Sequence, residues 1–406
     1  MHDMKDSGVE WIGEIPAHWS PIRFRFIAKI TTGNQDTQNA DPDGEYPFYV
    51  RSPIVERCNN YTFDGKGILM AGDGAGAGRV FHLVDGKYAV HQRVYRFYDF
   101  KYMDPVLLKY YLENLFATVM DYGSAKTTVP SVRLPMIQDF VVCVPPKKEQ
   151  DNIVAVLNEK CAQVGSLISN VQAQIEKLKA YKQSLITEVV TKGLDPTVPM
   201  KDSGVEWIGE IPAHWKIQRG KALFKETDAR SADGSEELLT VSQYTGITPR
   251  SQKNVTMFEA LSLEGYKICE IGDIAANTMW LWAGAIGISE YRGVVSPSYN
   301  VYRQRSNNFA PRYLDHLLRA PMLVQEYASL STGIRASRLR LYPKDFFNIM
   351  FPVPPLEEQQ AILDALNSKL SAVDRLIAIK QAKIEKLEQY KRSLIYEYVT
   401  GKREVI

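Results

Sequence analysis

The segment MKDSGVEWIGEIPAHW, at Met4–Trp19, is repeated without a change at Met200–Trp215. An identical repeat of this length does not arise by chance, so the chain is a tandem duplication. Two later pairs of segments align without gaps: VPPKKEQDNIVAVLNEK at Val144–Lys160 with VPPLEEQQAILDALNSK at Val353–Lys369, and IEKLKAYKQSLITEVVT at Ile175–Thr191 with IEKLEQYKRSLIYEYVT at Ile384–Thr400. The repeated segments are predicted to form a shared scaffold, and the divergent segments between them to carry specificity.

The opening block has glycines and a proline too closely spaced for a long helix. Four of the six tryptophans of the chain lie in its two copies, at Trp11, Trp19, Trp207 and Trp215. Large aromatic side chains usually pack in a core, so these residues are predicted to anchor the block in its domain. The alternative is an exposed aromatic surface for a partner.

Length and composition set loose bounds. The 406 residues are enough for two domain cores. Because the 49 Lys and Arg residues nearly balance the 47 Asp and Glu residues, net charge favours neither a nucleic acid nor a membrane as partner. No apolar run approaches the roughly 18 residues of a membrane helix, and no signal-peptide pattern opens the chain. We therefore expect a soluble, cytoplasmic protein without a membrane partner. Scattered cysteines predict reduced thiols instead of disulfides or a zinc site: Cys58, Cys143, Cys161 and Cys269.

The divergent segments, roughly Pro21–Cys143 and Lys216–Pro352, are predicted to be mixed domains of helices and strands. Short β-rich runs alternate with turns that contain glycine: Gly67–Ala71, Arg79–Val84 and Tyr88–Phe97 in the first half, and Tyr266–Ala275 and Val294–Arg303 in the second. A helix is predicted to follow in each half, over Pro105–Met120 and Pro311–Tyr327, because apolar residues recur there at helical spacing.

The segments that end each half carry apolar residues at the a and d positions of a heptad repeat, which predicts coiled-coil helices. The predicted seam is Leu157, Val164, Ile168, Val171, Ile175, Leu178 and Leu185 in the first copy and Leu366, Val373, Ile377, Ile384, Leu387 and Leu394 in the second. Lys182 and Lys391 share one a position, where a polar residue fixes the register. At about 1.5 Å per residue each helix is about 67 Å long, the length of a spacer.

Pairing the two helices with each other buries both seams. The predicted pair is antiparallel and has a pseudo-twofold axis, and it brings the first opening block near the C-terminus. The predicted fold class is α+β, with two globular mixed α/β domains joined by two long antiparallel coiled-coil helices in an internal repeat. The predicted boundaries are 1–146 for the first domain, 147–193 for the first helix, 194–355 for the linker and second domain, and 356–406 for the second helix.

Three segments imitate cofactor motifs, and their context argues against each. GDGAGA at Gly72–Ala77 would have to open a helix to bind a dinucleotide, but a β-rich run follows it. FDGKG at Phe63–Gly67 also leads into a strand, and the [DNS]-P-P-[YFW] tetrapeptide of methyltransferases is absent from the chain. GSAKTT at Gly123–Thr128 lacks the glycine that precedes the lysine of a phosphate-binding loop. With the six histidines dispersed, a non-catalytic protein is predicted.

Polar and basic loops of the divergent domains are the candidates for function. Arg, Gln and Asn read base edges, whereas Lys, Ser and Thr often hold phosphates. The candidates are Arg79, His91, Gln92, Arg93, Lys126, Thr127, Ser131 and Arg133 in the first domain and Asn277, Trp280, Ser298, Asn300, Arg335, Ser337, Arg338 and Arg340 in the second. The loop Gly333–Arg340 is the main candidate of the second domain, and a solvated basic loop is its alternative interpretation.

These features together resemble the specificity subunits of type I restriction–modification systems. The resemblance covers essentially the whole chain and lies in the duplicated EWIGEIP-x-HW block, the VPP-x-x-EQ entry to each helix and the IEKL…YK-x-SLI…VT exit. It implies a non-enzymatic chain that binds double-stranded DNA, each variable domain being a target-recognition domain for one half of a bipartite, asymmetric site. It also implies that the helices hold two methyltransferase subunits, which would bind S-adenosylmethionine, and that restriction subunits join this core. No cofactor is expected on this chain.

Two alternatives remain at this point. The first is a coiled-coil assembly scaffold whose globular ends bind proteins instead of DNA. The second is the specificity half of a fused restriction–methyltransferase polypeptide, whose catalytic activity would lie elsewhere. A neighbouring gene with the [DNS]-P-P-[YFW] tetrapeptide would favour a separate specificity subunit.

Overall fold

The computed structural model describes residues 3–123, 130–253, 262–333 and 339–405. Its contacts divide the chain into two compact units. Unit 1 comprises Met1–Gln172 and Gln381–Ile406, and unit 2 comprises Ala173–Lys380. Each unit thus combines one globular domain with parts of both long helices. Among the helices of the described residues, none is both long enough and apolar enough to cross a membrane.

Unit 1 contains two four-stranded sheets and a helix that packs on one of them. Its strands are β1 Met4–Asp6, β2 Glu14–Pro16, β3 Ser20–Arg23, β4 Lys29–Thr32, β5 Tyr46–Tyr49, β6 Glu56–Cys58, β7 Phe63–Asp64, β8 Gly67–Ala71, β9 Phe81–Val84, β10 Lys87–Val90, β11 Val94–Tyr98 and β12 Val141–Val144. Its helices are α1 Pro105–Gly123, α2 Leu134–Gln138 and the start of α3 Lys147–Lys192. The sheet orders are β4-β11-β8-β9 and β6-β5-β10-β7, with two-stranded pairs β1-β2 and β12-β3. Helix α1 packs on β8 and β9.

Unit 2 repeats the main sheet of this plan, but in its described residues two two-stranded pairs replace the second four-stranded sheet. Its strands are β13 Met200–Asp202, β14 Glu210–Pro212, β15 Lys216–Arg219, β16 Phe224–Thr227, β17 Leu239–Ser242, β18 Gly246–Pro249, β19 Lys267–Cys269, β20 Ile274–Ala276, β21 Ile286–Ile288, β22 Gly293–Val295, β23 Asn300–Gln304 and β24 Met350–Val353. Its helices are α4 Gly220–Leu223, α5 Pro311–Leu318, α6 Pro321–Leu330, α7 Pro343–Phe346 and α8 Leu356–Val399, the last of which ends in unit 1. The main sheet has the order β16-β23-β20-β21, which matches β4-β11-β8-β9 of unit 1.

Three of the β-rich runs predicted from sequence are each two strands. The run Tyr88–Phe97 is interrupted at residues 91–93 because β10 and β11 belong to different sheets. The runs Tyr266–Ala275 and Val294–Arg303 are interrupted for the same reason, since β19 and β22 pair with each other while β20 and β23 lie in the main sheet. Apolar patterning indicates strand content, but it does not show where the chain changes sheet.

The predicted helix Pro311–Tyr327 is also two helices. It breaks at Arg319 and Ala320, and α6 begins at Pro321. Ala320 has an extended backbone, with φ −64° and ψ 134°, because a proline ring excludes helical geometry from the residue before it.

The opening block folds as a β-hairpin against each domain core. Trp19 and Trp215 are fully buried, Trp207 is nearly so, and Trp11 is half-buried. The predicted anchoring role is therefore confirmed. In unit 1 the Tyr396 hydroxyl donates to the Trp11 carbonyl at 3.3 Å, so the first block lies beside the C-terminal end of α8, as predicted.

The Glu and Gln of each VPP-x-x-EQ motif attach a long helix to its domain. Glu149 accepts the Trp19 indole N–H at 3.1 Å, and Glu358 accepts that of Trp215 at 2.9 Å. The buried Gln150 amide donates to two carbonyls and accepts from the Asp104 N–H, and the equivalent Gln359 does the same with its own loop. The duplicated motif therefore attaches both long helices to their domains in the same way. We call this attachment the Glu–Gln joint.

We expect Glu358→Ala to lower the free energy of unfolding by about 1–3 kcal/mol, because the buried Trp215 N–H loses its acceptor. Urea unfolding measures the loss. The matched control is Glu357→Ala, since Glu357 lies in the same first turn of α8 and is exposed. Both variants remove one charge from the helix N-terminus. Equal losses in the two variants would contradict a role for the indole hydrogen bond.

The long helices run antiparallel where they meet in unit 2. The Lys182 ammonium donates to Asp374 at 2.7 Å, and that of Lys380 donates to Gln174 at 2.5 Å. Residue numbers thus fall along α3 as they rise along α8. The predicted seam residues are buried at Leu157, Val164, Val171, Ile175, Leu185, Leu366, Val373, Ile384 and Leu394, and half-buried at Ile168, Leu178, Ile377 and Leu387. Coiled-coil packing of this seam stays a prediction.

Candidate nucleic-acid interface

In unit 1, candidate residues from separate parts of the sequence meet at one edge of the main sheet. The C-terminal end of β8 pairs there with the start of β11, Ala71 opposite Val94. The loop after β8 bridges to a later segment, Asp73 with Ser131. The Gly72 N–H donates to the Arg93 carbonyl at 2.9 Å. Three loops therefore form one continuous surface.

Two exposed arginines on this surface share one carboxylate. Arg51 and Arg93 both contact the Asp73 carboxylate, at 2.8 Å and 3.3 Å. Their side chains are 45% and 64% exposed, whereas that of Asp73 is 16% exposed. One carboxylate thus orients two guanidinium groups that still face solvent. Arg51 was not among the sequence candidates, because only the fold brings it to Asp73.

The other candidates of unit 1 divide into exposed and supporting residues. Gln92 is exposed and its amide donates to Asp36 at 2.7 Å. Arg79, Ser131 and Arg133 are exposed as well. His91 differs, because it is buried and its Nδ1 accepts the Arg93 N–H at 3.0 Å. Burial lowers the pKa of His91, which favours the neutral ring that is able to accept this bond. His91 therefore supports the turn that presents Gln92 and Arg93.

In unit 2 four candidates lie at the corresponding edge, where Ala276 of β20 pairs with Asn300 of β23. Asn277 and Asn300 are buried, and the Asn277 amide donates to the Tyr299 hydroxyl at 2.9 Å. Asn277 therefore holds the loop and Asn300 lies buried in β23, whereas the sequence prediction made both of them contact residues. Ser298 is exposed and Trp280 is half-exposed.

Arg340 lies at the end of the loop that the sequence indicated as the main candidate. Its backbone N–H and C=O both bond to Thr332 at 3.0 Å, and its side chain is exposed. A buried residue follows it before α7, as one follows Ser131 before α2. Five candidates lie outside the described residues: Lys126, Thr127, Arg335, Ser337 and Arg338.

The two units therefore define a protein with two homologous domains that present different side chains at the same sheet edge. A family model described as the type I restriction modification DNA specificity domain matches the chain twice, over residues 16–177 and 216–389. The chain belongs to this family, and each half carries one such domain.

Relatives of this chain have the same designation. It is 25% identical over 418 residues to the type I restriction enzyme MjaVIII specificity subunit of Methanocaldococcus jannaschii, covering 96% of this chain and 94% of that one. It is also 25% identical to the EcoDI specificity subunit of Escherichia coli, over 54% of this chain and only 44% of that subunit. The fold is similar to that of a chain from a structure described as the basis of complex assembly and conformational transition of the type I R-M system. That likeness has a TM-score of 0.66 and 16% identity, and it covers 96% of this chain and 99% of the other.

Proposed function

We propose that this chain is the DNA-specificity subunit of a type I restriction–modification complex and that each domain reads one half of a bipartite, asymmetric site. The observation that carries the proposal is the pair of matched specificity domains with unlike exposed side chains at equivalent sheet edges. At this edge unit 1 presents Arg51, Gln92 and Arg93, whereas unit 2 presents Ser298 and, in the loop before α7, exposes Arg340. Arg and Gln pair bidentately with guanine and adenine, respectively. Unlike edges therefore select unlike half-sites.

Exposed apolar residues on the long helices form two equivalent sets, which favours binding of two copies of one partner. Leu167 and Tyr181 on α3 correspond to Leu376 and Tyr390 on α8, and the four side chains are 50%, 52%, 46% and 50% exposed. Unit 1 holds Leu167 with Tyr390, and unit 2 holds Leu376 with Tyr181. All four are three residues after a d position of the seam, so they occupy one heptad position, g. We assign each Leu–Tyr set to one methyltransferase subunit.

We expect the double variant L376A/Y181A to bind one methyltransferase subunit instead of two, because truncating a hot-spot side chain at the centre of an interface weakens binding by at least about 30-fold. The variant L167A/Y390A should lose the other copy. Native mass spectrometry of the complex gives the stoichiometry. The control E176A/E385A changes equivalent exposed residues at heptad position b, on another side of the helices. Two bound copies in both apolar variants would contradict the assignment.

In this proposal the chain itself catalyses nothing, and S-adenosylmethionine binds to the methyltransferase subunits. Restriction subunits join the same core, and the complex acts on DNA in the cytoplasm. The single-chain test is methyl transfer from S-adenosylmethionine to DNA by the purified protein. Turnover by the chain alone would overturn the assignment of catalysis to a partner.

The test of the whole proposal is sequencing of methylated bases in host DNA with and without this gene. One bipartite motif should disappear with the gene and return with it. A methylation pattern that does not change would favour the alternative, a scaffold whose ends bind proteins.

A further inference from the structure

The loop after β20 in unit 2 presents a stacked pair of tryptophans to solvent. The rings of Trp280 and Trp282 lie 5.7 Å apart between centroids, with 25° between their planes. Trp280 is 49% exposed and the neighbouring Met279 is 39% exposed. Exposed apolar surface of this kind is unfavourable in water and commonly marks a binding surface.

This loop is held rigidly. The Trp282 indole N–H donates to the Met279 carbonyl at 3.0 Å, and the Trp280 N–H donates to the Asn277 carbonyl at 2.9 Å. The Thr278 hydroxyl ties the loop to the Ser298 carbonyl at 2.8 Å. Leu281 is fully buried in the core of unit 2. The exposed ring therefore has a fixed position before any partner arrives, so little conformational entropy is lost on binding.

The loop lies at the sheet edge that also carries the exposed Ser298. The equivalent loop of unit 1, Gly72–Gly76, has the sequence GDGAG and no large apolar side chain. The two domains thus differ here in the presence of an aromatic platform as well as in their hydrogen-bonding groups. A flat ring beside polar groups is suited to the face of a base.

We propose that Met279 and Trp280 form an apolar wedge that contacts an unstacked base step in, or beside, the half-site read by unit 2. This inference rests on the proposed DNA-reading function. Apolar wedges that open a base step kink the duplex, and the energy of the kink depends on the sequence being deformed. The second half-site would then be selected partly by its deformability, and the first would not.

The experiment uses the full chain assembled with its methyltransferase subunits and a duplex that carries the methylated motif. The base analogue 2-aminopurine, placed in turn at each position of the second half-site and its flank except the methylated base, reports unstacking by its fluorescence. Energy transfer between the duplex ends reports bending. With Trp280→Ala we expect about 5- to 160-fold weaker binding, together with loss of the local fluorescence rise and of the bend.

Trp280→Phe keeps an aromatic face and should retain most of the signal. Phe26→Ala removes another exposed aromatic ring, 60% exposed in unit 1, and should change neither signal. Unaltered binding and bending in Trp280→Ala would overturn the inference, and so would loss of the methyltransferase subunits, which would indicate a protein contact. If the wild-type complex itself fails to bind the motif, the proposed function is wrong and the wedge with it.

Discussion

Arg93→Ala is expected to relax the first half of the recognised sequence and to leave the second half unchanged. The Arg93 guanidinium is 64% exposed, and Asp73 orients it at the edge of the main sheet. A side chain that donates bidentately to a guanine contributes about 1–3 kcal/mol of discrimination at one base pair. Sequencing of the methylated motif in cells that carry the variant shows which positions have become degenerate.

Arg340→Ala is the matched variant in unit 2, and it should relax only the second half-site. Each variant is the control for the other, because each removes one exposed arginine from a loop of one of two equivalent domains. If these arginines contact phosphate instead, affinity should fall evenly for all sequences and the salt dependence of binding should become shallower. An unchanged motif with unchanged affinity in both variants would mean that the two loops are only solvated surface.

Removing one heptad from both long helices is expected to shorten the unread spacer between the two half-sites by about 3 base pairs. Seven helical residues are about 10.5 Å long, and DNA rises about 3.4 Å per base pair. Residues 170–176 of α3 and the equivalent 379–385 of α8 are suitable, because their joint deletion removes both Gln174 and Lys380, which bond to each other. The methylated motif again gives the result, and both specific halves should be unchanged.

A second variant separates helix length from helix sequence. Replacing the exposed residues of the same two heptads by alanine, while the apolar seam residues are kept, changes the surface without changing the length. Its motif should equal that of the wild type. A spacer of unaltered length in the deletion variant would mean that the helices do not set the separation of the half-sites.

The scaffold could be predicted from sequence because each of its sequence patterns occurs twice in the chain. Heptad repeats in the two end segments and two copies of one opening block predicted the long helices and the buried tryptophans from local patterns. The antiparallel pairing was predicted from the need to bury both apolar seams. Pro321 was also a local signal. Because the residue before a proline is disfavoured in a helix, this proline predicts the break between α5 and α6. The interruption between β10 and β11 at residues 91–93 had no such local signal, because the chain turns there to pass from one sheet to the other.

Only part of the site could be predicted from sequence, because the loops that form it come from distant parts of the sequence. Exposed polar candidates such as Gln92 and Arg340 were found by residue type. Arg51 was missed, since its role depends on Asp73, twenty-two residues away. Asn277 has the residue type of a base reader but is used to hold a loop. Residue type predicts what a side chain is able to bind, whereas exposure decides whether it is free to do so.

The twofold occurrence of the Glu–Gln joint has an evolutionary consequence. At both joints the same side chains hold a domain to a helix, and Gln150 and Gln359 bond only to backbone atoms in the hydrogen bonds described above. A backbone carbonyl accepts the same bond whatever residue supplies it. A foreign domain flanked by the same motifs would therefore fit either position without further adjustment of the helices. Exchange of whole domains between homologous genes would create a new specificity in one recombination event, whereas point mutation would have to rebuild a reading surface residue by residue.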